Sequence, residues 1–471
     1  MSVIILVADG ARPDALTAAM NEGALPAMAR LRAEGGAHVV TSAFPSVTGP
    51  AYTPFLLGRY PGPIGLPALR WFDRSRAQAS APHYTRSYVG HEMRHVDRDL
   101  DRDAPTLFEL APPAIGALSV ITRGLDRGSR IGQGLRFALR AAMTHFSGNV
   151  RGWLDIDRNV AAEVARRVRD ERPRVTFAAL TGIDKTSHAG GHDQGTVRAA
   201  MRIVDDLVAE LRHDAERAGG WQDTHLWIVS DHGHSPVRAH EDLAGLVESF
   251  GHRTLAHPWI YRRRADVAVM VSGNAMAHLY LDLAAAERPW WPALAARWRP
   301  LVDALLERPS VDVALLPESP TRCTVAARGR GEGVVEYQLS ADGARRYSYL
   351  PRTGDPLGAG ELRDVSANEA YDATIATDYP DSVVQIAHLA GSARGGEIVL
   401  SAAREWDFRA RWEPIPHLSS HGALHREHML VPLVTNHPVA RRPRRTVDVM
   451  PSALRALGLG VPRGLDGESF L

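Results

Sequence analysis

The 471-residue sequence predicts an α/β fold in which a central, mostly parallel sheet lies between helices, with inserted regions that cap it. Short apolar and β-branched runs end in polar residues and are followed by helical patterns. These pairs of strand and helix occur in three separate parts of the chain, divided by stretches of different composition. Because 45% of the residues are hydrophobic, the chain can bury a large core.

The first segment begins with a predicted strand at 3–8, which ends at Asp9. Helices are predicted around 13–20 and 26–34. The apolar run at 3–8 has no preceding basic region and no small-residue cleavage site, so we interpret it as a core strand rather than a signal peptide. No window reaches the roughly 18 uninterrupted apolar residues of a membrane-spanning helix. We therefore expect a soluble, cytoplasmic protein.

The second segment contains two predicted strands, at 175–180 and 226–229, which end before Asp184 and Asp231. Between them, apolar residues recur at spacings of three and four, which predicts an amphipathic helix packed on the sheet. These residues are Val197, Met201, Val204, Val208 and Leu211.

The third segment runs from about 380 to 471, with strands predicted at 396–400 and 429–434. A single domain is expected, whose core comprises about 1–60, 172–240 and 380–471. The intervening regions, about 61–170 and 240–370, are interpreted as insertions that cap the sheet and set substrate specificity. Four aromatic residues of the first insertion could stack on a leaving group, although packing within the cap explains them equally well. These are Trp71, Phe72, Tyr84 and Tyr88.

The charges are nearly balanced, with 55 Lys and Arg against 54 Asp and Glu and no long run of either sign. This balance argues against a nucleic-acid-binding tail and against a polybasic membrane patch. We expect a small-molecule phosphate ester as the partner, with neither a nucleic-acid polymer nor a membrane. The single cysteine, Cys323, cannot form an internal disulfide.

Acidic residues follow three of the predicted strands. Asp9, Asp184 and the Asp231-His232 pair would meet at one edge, because the carboxyl ends of parallel strands converge on one crevice. Gathering this much negative charge is costly without cations, so the pattern predicts a metal site. His188 lies four residues after Asp184, a spacing that lets both side chains turn toward one ion.

Six short motifs occur in the order found in nucleotide pyrophosphatases/phosphodiesterases. They are Asp9-Gly-Ala-Arg-Pro-Asp14, Pro45-Ser-Val-Thr48-Gly-Pro50, Leu57-Gly-Arg-Tyr-Pro61, Asp184-Lys-Thr-Ser-His188, Asp231-His232-Gly233 and Ser420-His421-Gly422. The chain resembles this branch of the alkaline phosphatase superfamily over about 200 residues of core, whereas the caps are unmatched. Residues 446–458 and 465–471 resemble the closing helix and tail of the wider superfamily.

The resemblance implies an alkaline phosphatase-like fold and hydrolysis of a phosphodiester or related phosphate ester through a phosphothreonine on Thr48. It also implies two divalent metal ions, for which the oxygen and nitrogen ligands suit Zn²⁺, with Mn²⁺ or Fe as alternatives. One ion would be held by Asp184, His188 and His421. The other would be held by Asp9, Asp231 and His232, with the Thr48 oxygen beside it.

Several residues leave alternatives open. Ser46 and Thr53 are competing hydroxyls, although the Thr-x-Pro pattern before a helix favours Thr48. The family has a phosphate-binding Asn where this chain has Ala51, and Lys185, Tyr52 or a cap arginine could replace it. His192 competes with His188 as a ligand, and His425 competes with His421. Three further histidines could be hydrogen-bonding partners or substrate contacts: His234, His417 and His428.

Other functions are weaker interpretations of the same residues. Phosphomonoester and phosphonate hydrolysis are the alternatives within the superfamily. A sulfatase is disfavoured because Thr48 and Tyr52 stand where sulfatases carry Cys or Ser and Arg, and a phosphomutase would be expected to use Ser. A catalytically inactive metal-binding protein is disfavoured because all six candidate ligands are present.

Overall fold

The computed structural model describes residues 1–79, 85–257, 264–340, 344–409 and 417–471. The strands of these ranges are β1 Ser2–Ala8, β2 Gly36–Thr41, β3 Arg70–Phe72, β4 Thr85–Ser87, β5 Ala114–Ala117, β6 Arg130–Ile131, β7 Val175–Leu180, β8 Thr224–Val229, β9 Ser235–His240, β10 Thr254–Ala256, β11 Val267–Ser272, β12 Met276–Leu281, β13 Val311–Ser319, β14 Arg322–Ala327, β15 Gly331–Leu339, β16 Arg345–Pro351, β17 Leu362–Val365, β18 Ile398–Ala402, β19 Glu405–Asp407, β20 Ser419–Ser420 and β21 Leu430–Thr435.

The α-helices of the same ranges are α1 Pro13–Asn21, α2 Pro26–Glu34, α3 Thr53–Leu57, α4 Arg74–Ala79, α5 Val96–Asp99, α6 Leu107–Leu110, α7 Leu135–Phe146, α8 Val150–Glu171, α9 Gly182–Gly190, α10 Gly195–Arg217, α11 Leu243–Ser249, α12 Trp291–Leu306, α13 Ala367–Thr374, α14 Ser382–Ala390, α15 Arg426–Met429 and α16 Val449–Ala456. None of these helices combines the length and the apolarity that crossing a bilayer requires.

A seven-stranded sheet with the order β2-β21-β8-β1-β7-β5-β6 forms the centre of the fold. The strands β8, β1, β7, β5 and β6 are parallel to one another. At the other edge, β21 pairs antiparallel with β8, and β2 pairs antiparallel with β21. The predicted fold class, a mostly parallel sheet between layers of helices, is confirmed.

Both faces of this sheet are buried, as a parallel sheet requires. Along β1, Val3, Ile5 and Val7 pack into a core that includes α3, α6 and α16. The alternate residues of β1 pack into a second core that includes α1, α2, α8 and α10. Because side chains alternate between the faces of a strand, this one apolar run serves both cores.

A second sheet of nine strands has the order β10-β11-β12-β18-β13-β14-β15-β16-β17 and is antiparallel apart from the β10–β11 pair. It contains β18, which the sequence grouped with the strands of the parallel core. Conversely, β5 and β6 lie in the parallel sheet although they come from the region predicted as the first cap. A short buried strand carries no sequence signal that names its partner, because side-chain pattern reports burial and not pairing.

A small third sheet connects the two larger ones. Its central strand, β9, pairs antiparallel with β20 and parallel with β19. The register places Ser420 opposite Ser235. The residues that follow β8 are therefore held next to the residues that follow β20.

Three of the four aromatic candidates in the first predicted cap are packing residues. Trp71, Phe72 and Tyr88 are each buried within the first core. The indole nitrogen of Trp71 donates a hydrogen bond to the Tyr88 hydroxyl at 3.1 Å. Tyr84, the fourth candidate for stacking on a leaving group, lies outside the described residues.

Candidate metal and catalytic site

The candidate site lies at the carboxyl edge of three adjacent parallel strands. The last residue of β1, Ala8, pairs with Leu180 of β7, and Val7 pairs with Val229 of β8. Asp9 follows β1 directly, and Asp231 lies two residues after β8. The strand ends thus bring these carboxylates together, as expected for residues at the carboxyl ends of parallel strands, where ligands bind.

Asp184 reaches the same edge on α9, which begins two residues after β7. The start of α9 is held by Asp157 of α8, whose carboxylate accepts hydrogen bonds from the backbone N–H groups of Thr181 at 3.1 Å and Gly182 at 2.7 Å. Burial raises the pKa of Asp157 to about 7. The sequence did not single out Asp157, because aspartate is also common on the exposed face of an amphipathic helix.

The carboxylate of Asp184 is the centre of one cluster. Its Oδ1 atom lies 3.0 Å from His234 Nε2, 3.1 Å from His188 Nε2 and 3.5 Å from His421 Nε2. Its Oδ2 atom accepts a hydrogen bond from Lys185 Nζ at 2.7 Å. Burial favours the protonated acid, but the charges of Lys185 and His188 hold the pKa of Asp184 well below its ordinary value.

A second cluster surrounds Thr48. The Thr48 hydroxyl oxygen lies 3.2 Å from His232 Nε2 and 3.4 Å from Asp9 Oδ1. His232 Nε2 in turn lies 3.2 Å from Asp9 Oδ1 and 3.6 Å from Asp231 Oδ2. Burial and the nearby Asp9 raise the pKa of Asp231 to about 8. Burial opposes protonation of His232, but the carboxylates of Asp231 and Asp9 raise its pKa to about 9.

Backbone carbonyls orient three of the imidazoles. His188 Nδ1 lies 2.8 Å from the carbonyl oxygen of Ser419, and His421 Nδ1 lies 3.0 Å from that of Ser46. His232 Nδ1 lies 3.1 Å from the carbonyl oxygen of its neighbour Gly233. A carbonyl can only accept, so each Nδ1 donates, and Nε2 is the nitrogen that faces the site and can coordinate an ion once it is free of a proton. This is the orientation that metal coordination requires.

The residues fit divalent cations. Asp9 Oδ2 and Asp231 Oδ2 are buried and have no hydrogen-bond partner among the described residues. Such buried acceptors are costly unless a cation satisfies them. The candidate ligand atoms form three overlapping groups, each with all its atoms within 4.8 Å: Asp9, Asp231 and His232; Asp184, His188 and His234; Asp184, His232 and His421.

The first of these groups matches a predicted ligand set. The other predicted set, Asp184, His188 and His421, is divided between two groups that share Asp184. His234 enters one of them, although the sequence indicated only a hydrogen-bonding or substrate-contacting role for it. Position along the chain cannot show which ring of a histidine-rich edge turns toward a given carboxylate.

The competing residues have other partners. The side chain of Ser46 donates to the carbonyl of Ala423, and that of Thr53 donates to the carbonyl of Pro50. His192 accepts from Arg12 Nη1 at 2.7 Å, and His425 bonds to Glu427 at 2.8 Å. Of the three candidate hydroxyls, that of Thr48 is therefore the one that faces the carboxylates.

The two predicted substrate contacts differ in their surroundings. Lys185 is partly exposed, and its Nζ lies 6.0 Å from the centroid of the Trp153 ring. Tyr52 is fully buried, with its ring centroid 5.3 Å from that of Phe177. Tyr52 thus packs beneath the site, an arrangement that suits a core residue and not a substrate contact. Ala51 is also buried.

The family profile described as type I phosphodiesterase / nucleotide pyrophosphatase matches residues 3–424. The chain belongs to this family. The predicted membership is thereby confirmed, and this type I phosphodiesterase family protein is a phosphoric ester hydrolase. Members of the family depend on divalent metal ions, in agreement with the candidate ligand clusters.

Solved structures with similar folds support the same architecture. Phosphonoacetate hydrolase from Sinorhizobium meliloti 1021, in complex with phosphonoacetate, is 15% identical with a TM-score of 0.57, over 97% of this chain and 96% of that chain. Human ectonucleotide pyrophosphatase / phosphodiesterase 5 is 13% identical with a TM-score of 0.59, over 99% of this chain and 97% of that chain. No curated protein sequence matches the chain.

Proposed function

We propose that this phosphoric ester hydrolase cleaves a phosphodiester through a covalent phosphothreonine on Thr48, with two divalent ions as cofactors. The observation that carries the proposal is the position of the Thr48 hydroxyl, 3.4 Å from Asp9 Oδ1 and 3.2 Å from His232 Nε2. A threonine hydroxyl must be activated before it can act as a nucleophile. This one lies beside the Asp9 carboxylate, whose other oxygen, Oδ2, is buried and has no hydrogen-bond partner among the described residues.

Asp9, Asp231 and His232 hold one ion next to Thr48, and Asp184, His188 and His421 hold the other. Zn²⁺ suits these oxygen and nitrogen donors, with Mn²⁺ or Fe as alternatives. When bound, such ions lower the pKa of the hydroxyl and neutralise the phosphate oxygens.

The chain's own residues then account for the two steps. Thr48 gives its proton to solvent water as its oxygen forms a bond to phosphorus. The bond from phosphorus to the leaving-group oxygen breaks, and the leaving group departs with the bonding electrons and takes up a proton from water. In the second step water attacks phosphorus and the bond from phosphorus to the Thr48 oxygen breaks. That oxygen takes up a proton from the attacking water, which restores the hydroxyl and releases a phosphate monoester. Lys185, held beside Asp184 at 2.7 Å, replaces the family Asn that is absent at Ala51 and binds a phosphate oxygen.

The substrate is a small phosphate ester whose leaving group contacts the regions 61–170 and 240–370. A cytoplasmic location is also proposed. It is supported by the single buried thiol of Cys323, which needs no oxidising compartment.

Substitution of the nucleophile tests the proposal. Turnover of bis-p-nitrophenyl phosphate should fall by about three orders of magnitude or more in Thr48→Ala, with metal content unchanged, whereas Thr48→Ser should keep part of it. Ser46→Ala is the matched control, because its hydroxyl is also buried in the same loop. Unchanged turnover in Thr48→Ala would exclude the phosphothreonine.

The same assay separates the alternatives. Faster cleavage of p-nitrophenyl phosphate than of the diester would indicate a monoesterase. Release of phosphate from phosphonoacetate would indicate a phosphonate hydrolase, the activity named for the Sinorhizobium meliloti protein of similar fold. Cleavage of p-nitrophenyl sulfate alone would indicate a sulfatase.

A further inference from the structure

His234 lies closer to Asp184 than either histidine that the family resemblance assigns to that ion. Its Nε2 atom is 3.0 Å from Asp184 Oδ1, and the ring is fully buried. The ring also occupies space that the backbone leaves open, because a Cβ at Gly10 would lie 2.8 Å from His234 Nε2. Gly10 has a φ of +79°, a conformation that favours glycine.

Hydrogen bonding fixes which nitrogen of His234 carries the proton. Its Nδ1 atom lies 3.1 Å from Ser419 Oγ. That hydroxyl donates its single proton to the carbonyl of Ser235 at 2.9 Å, so it accepts from His234 Nδ1. The lone pair of His234 Nε2 therefore faces the carboxylate oxygen of Asp184.

Three imidazoles repeat this arrangement around one oxygen atom. His188 and His421 also donate through Nδ1 to carbonyls and turn Nε2 toward Asp184 Oδ1. An Nε2 lone pair that faces a carboxylate oxygen at 3.0 to 3.5 Å is repelled unless a proton or a metal cation lies between the two atoms. The ligand atoms of His188 and His234 lie with that of Asp184 within 4.8 Å of one another, whereas His421 groups with Asp184 and His232, so of these rings His234 and His188 are the nearest to a common ion.

We propose that His234 Nε2 is a fourth protein ligand of the ion held by Asp184, His188 and His421, an assignment that rests on the proposed function. Four protein ligands close a tetrahedral zinc site, whereas a catalytic site needs a free position. An ion that accepts five or six ligands, such as Mn²⁺ or Fe²⁺, would keep a position for substrate. The two sites of one chain would thus prefer different metals.

Metal content and a metal-loaded structure test this assignment. In a crystal structure of the wild-type protein loaded with Mn²⁺, the ion should lie about 2.0–2.3 Å from His234 Nε2. After dialysis against a weak chelator, His234→Gln should retain about one ion fewer per chain than wild type. His428→Gln is the matched control, a second buried histidine that bonds to Ser235 and should retain both ions.

Two results would overturn it. One is an ion bound by Asp184, His188 and His421 with His234 Nε2 more than about 3 Å away. The other is equal metal retention by wild type and a folded His234→Gln. Neither readout uses turnover, so a failure of the phosphothreonine proposal in Thr48→Ala remains distinguishable from a failure here.

A different part of the molecule carries a second inference. Helix α7 attaches to the protein through Phe137, Ala141 and Thr144, which pack toward the second core. Its opposite side exposes large apolar side chains: Leu135 by 76%, Leu139 by 55%, Met143 by 67% and Phe146 by 74%. At about 100° per residue these four occupy an arc of roughly 80°. Together they form an outward apolar stripe.

The stretch of sequence that carries this stripe has charges of one sign. Residues 127–154 contain five arginines and no Asp or Glu, in a chain whose formal charge is +1. Arg136 and Arg140 border the stripe along one side of α7. An apolar stripe bordered by arginine is typical of a helix that lies in the interface of an anionic bilayer. Antiparallel packing of α7 against α7 of a second copy would bring the two arginine rows side by side, which repulsion disfavours.

The stripe lies on the side of the molecule that holds the candidate site. α7 follows β6 at the carboxyl edge of the parallel sheet and packs on α8. α8 in turn contributes Asp157 to the start of α9 and Trp153 beneath Lys185. We infer that α7 binds the surface of an anionic membrane, in contrast to the absence of a membrane partner expected from the balanced charge.

Vesicle co-sedimentation tests this binding. Wild type should bind vesicles of phosphatidylcholine with about 30% phosphatidylserine at least about ten-fold more tightly than pure phosphatidylcholine. The double variant Leu139→Ser, Met143→Ser should lose this binding, because both side chains are exposed and their removal spares the core. Leu339→Ser, which removes an equally exposed leucine elsewhere, should bind like wild type.

Equal binding by wild type and the double variant would overturn the inference. So would absence of binding together with a concentration-dependent dimer that the double variant abolishes, since that result would identify a second copy as the occupant.

Discussion

The imidazole rings of His232 and His421 stack face to face, with centroids 3.5 Å apart and planes 1° apart. His232 follows a strand of the parallel sheet, whereas His421 follows the short strand β20. Their ligand atoms lie within 4.8 Å of one another, together with that of Asp184. The stack therefore joins the two clusters of candidate ligands into one site.

Removing His421 should affect both ions. We expect His421→Ala to retain fewer than two ions per chain and to lose about 100-fold or more in turnover. The substitution removes a candidate metal ligand and also the ring that stacks on His232. Metal analysis after dialysis and diester hydrolysis measure the two effects. His425→Ala is the control, since that ring bonds to Glu427 instead. Retention of both ions would contradict the prediction.

Metal affinity should rise with pH. Burial and Asp9 raise the pKa of Asp231 to about 8, and the carboxylates raise the pKa of His232 to about 9 against the effect of burial. Below these values a binding cation must displace a proton from each group. Affinity should therefore increase from about pH 6 to pH 9 and then level off. Calorimetric titration in two buffers of different ionisation enthalpy measures the released protons, and a pH-independent affinity would count against this.

Gly233 separates His232 from His234 and has no room for a side chain. A Cβ at this position would lie 2.1 Å from the carbonyl oxygen of Glu427. Gly233→Ala should therefore destabilise the protein by about 1–3 kcal/mol and lower its metal content, because both neighbouring histidines shift. Thermal unfolding and metal analysis check this. Gly195→Ala, where no atom lies within 4 Å of the added Cβ, should show neither effect.

His278 should make the protein acid-sensitive independently of the metal site. It is fully buried in β12, where Nδ1 accepts from the Gly396 N–H at 3.0 Å and Nε2 donates to the Pro67 carbonyl at 3.1 Å. Burial lowers its pKa to about 3. Because the pKa of an unfolded histidine is about 6.5, the neutral ring stabilises the fold above that pH, and stability is lost as the pH falls toward 3.

Urea unfolding between pH 4 and pH 7 measures the slope. His278→Gln should be less stable at pH 7 but should show a shallower loss on acidification than wild type. His213→Gln, at an exposed position of α10, should keep the wild-type slope. Parallel slopes for wild type and His278→Gln would show that another group controls the acid sensitivity.

The sequence was informative where local pattern determines the structure. The strands around 3–8, 175–180 and 226–229 were predictable because both faces of a parallel strand are buried, which leaves a continuous apolar run. The meeting of Asp9, Asp184 and Asp231 followed from that topology, since parallel strands end at one edge.

Partner choice was not predictable in the same way. The strand at 398–402 has the same apolar pattern as a strand of the parallel sheet but pairs with β12 and β13. Asp157 and His234 act through contacts with residues 24 or more positions away, which no local pattern encodes. The stripe on α7 was hidden because its arginines are spaced among apolar residues and form no run.

The segment that carries His421 contacts loops next to both large sheets. The His421 carbonyl accepts a hydrogen bond from the N–H of Ala275 at 3.0 Å, beside the nine-stranded sheet. The His421 ring bonds to the carbonyl of Ser46, in the same loop as Thr48. His421 therefore links the region of the parallel sheet to the region of the nine-stranded sheet. A relative movement of the two sheets would separate the residues of the candidate site before either sheet unfolded. Removal of the ions should therefore loosen the contacts of His421 first, and limited proteolysis of the metal-free protein should cut near this residue.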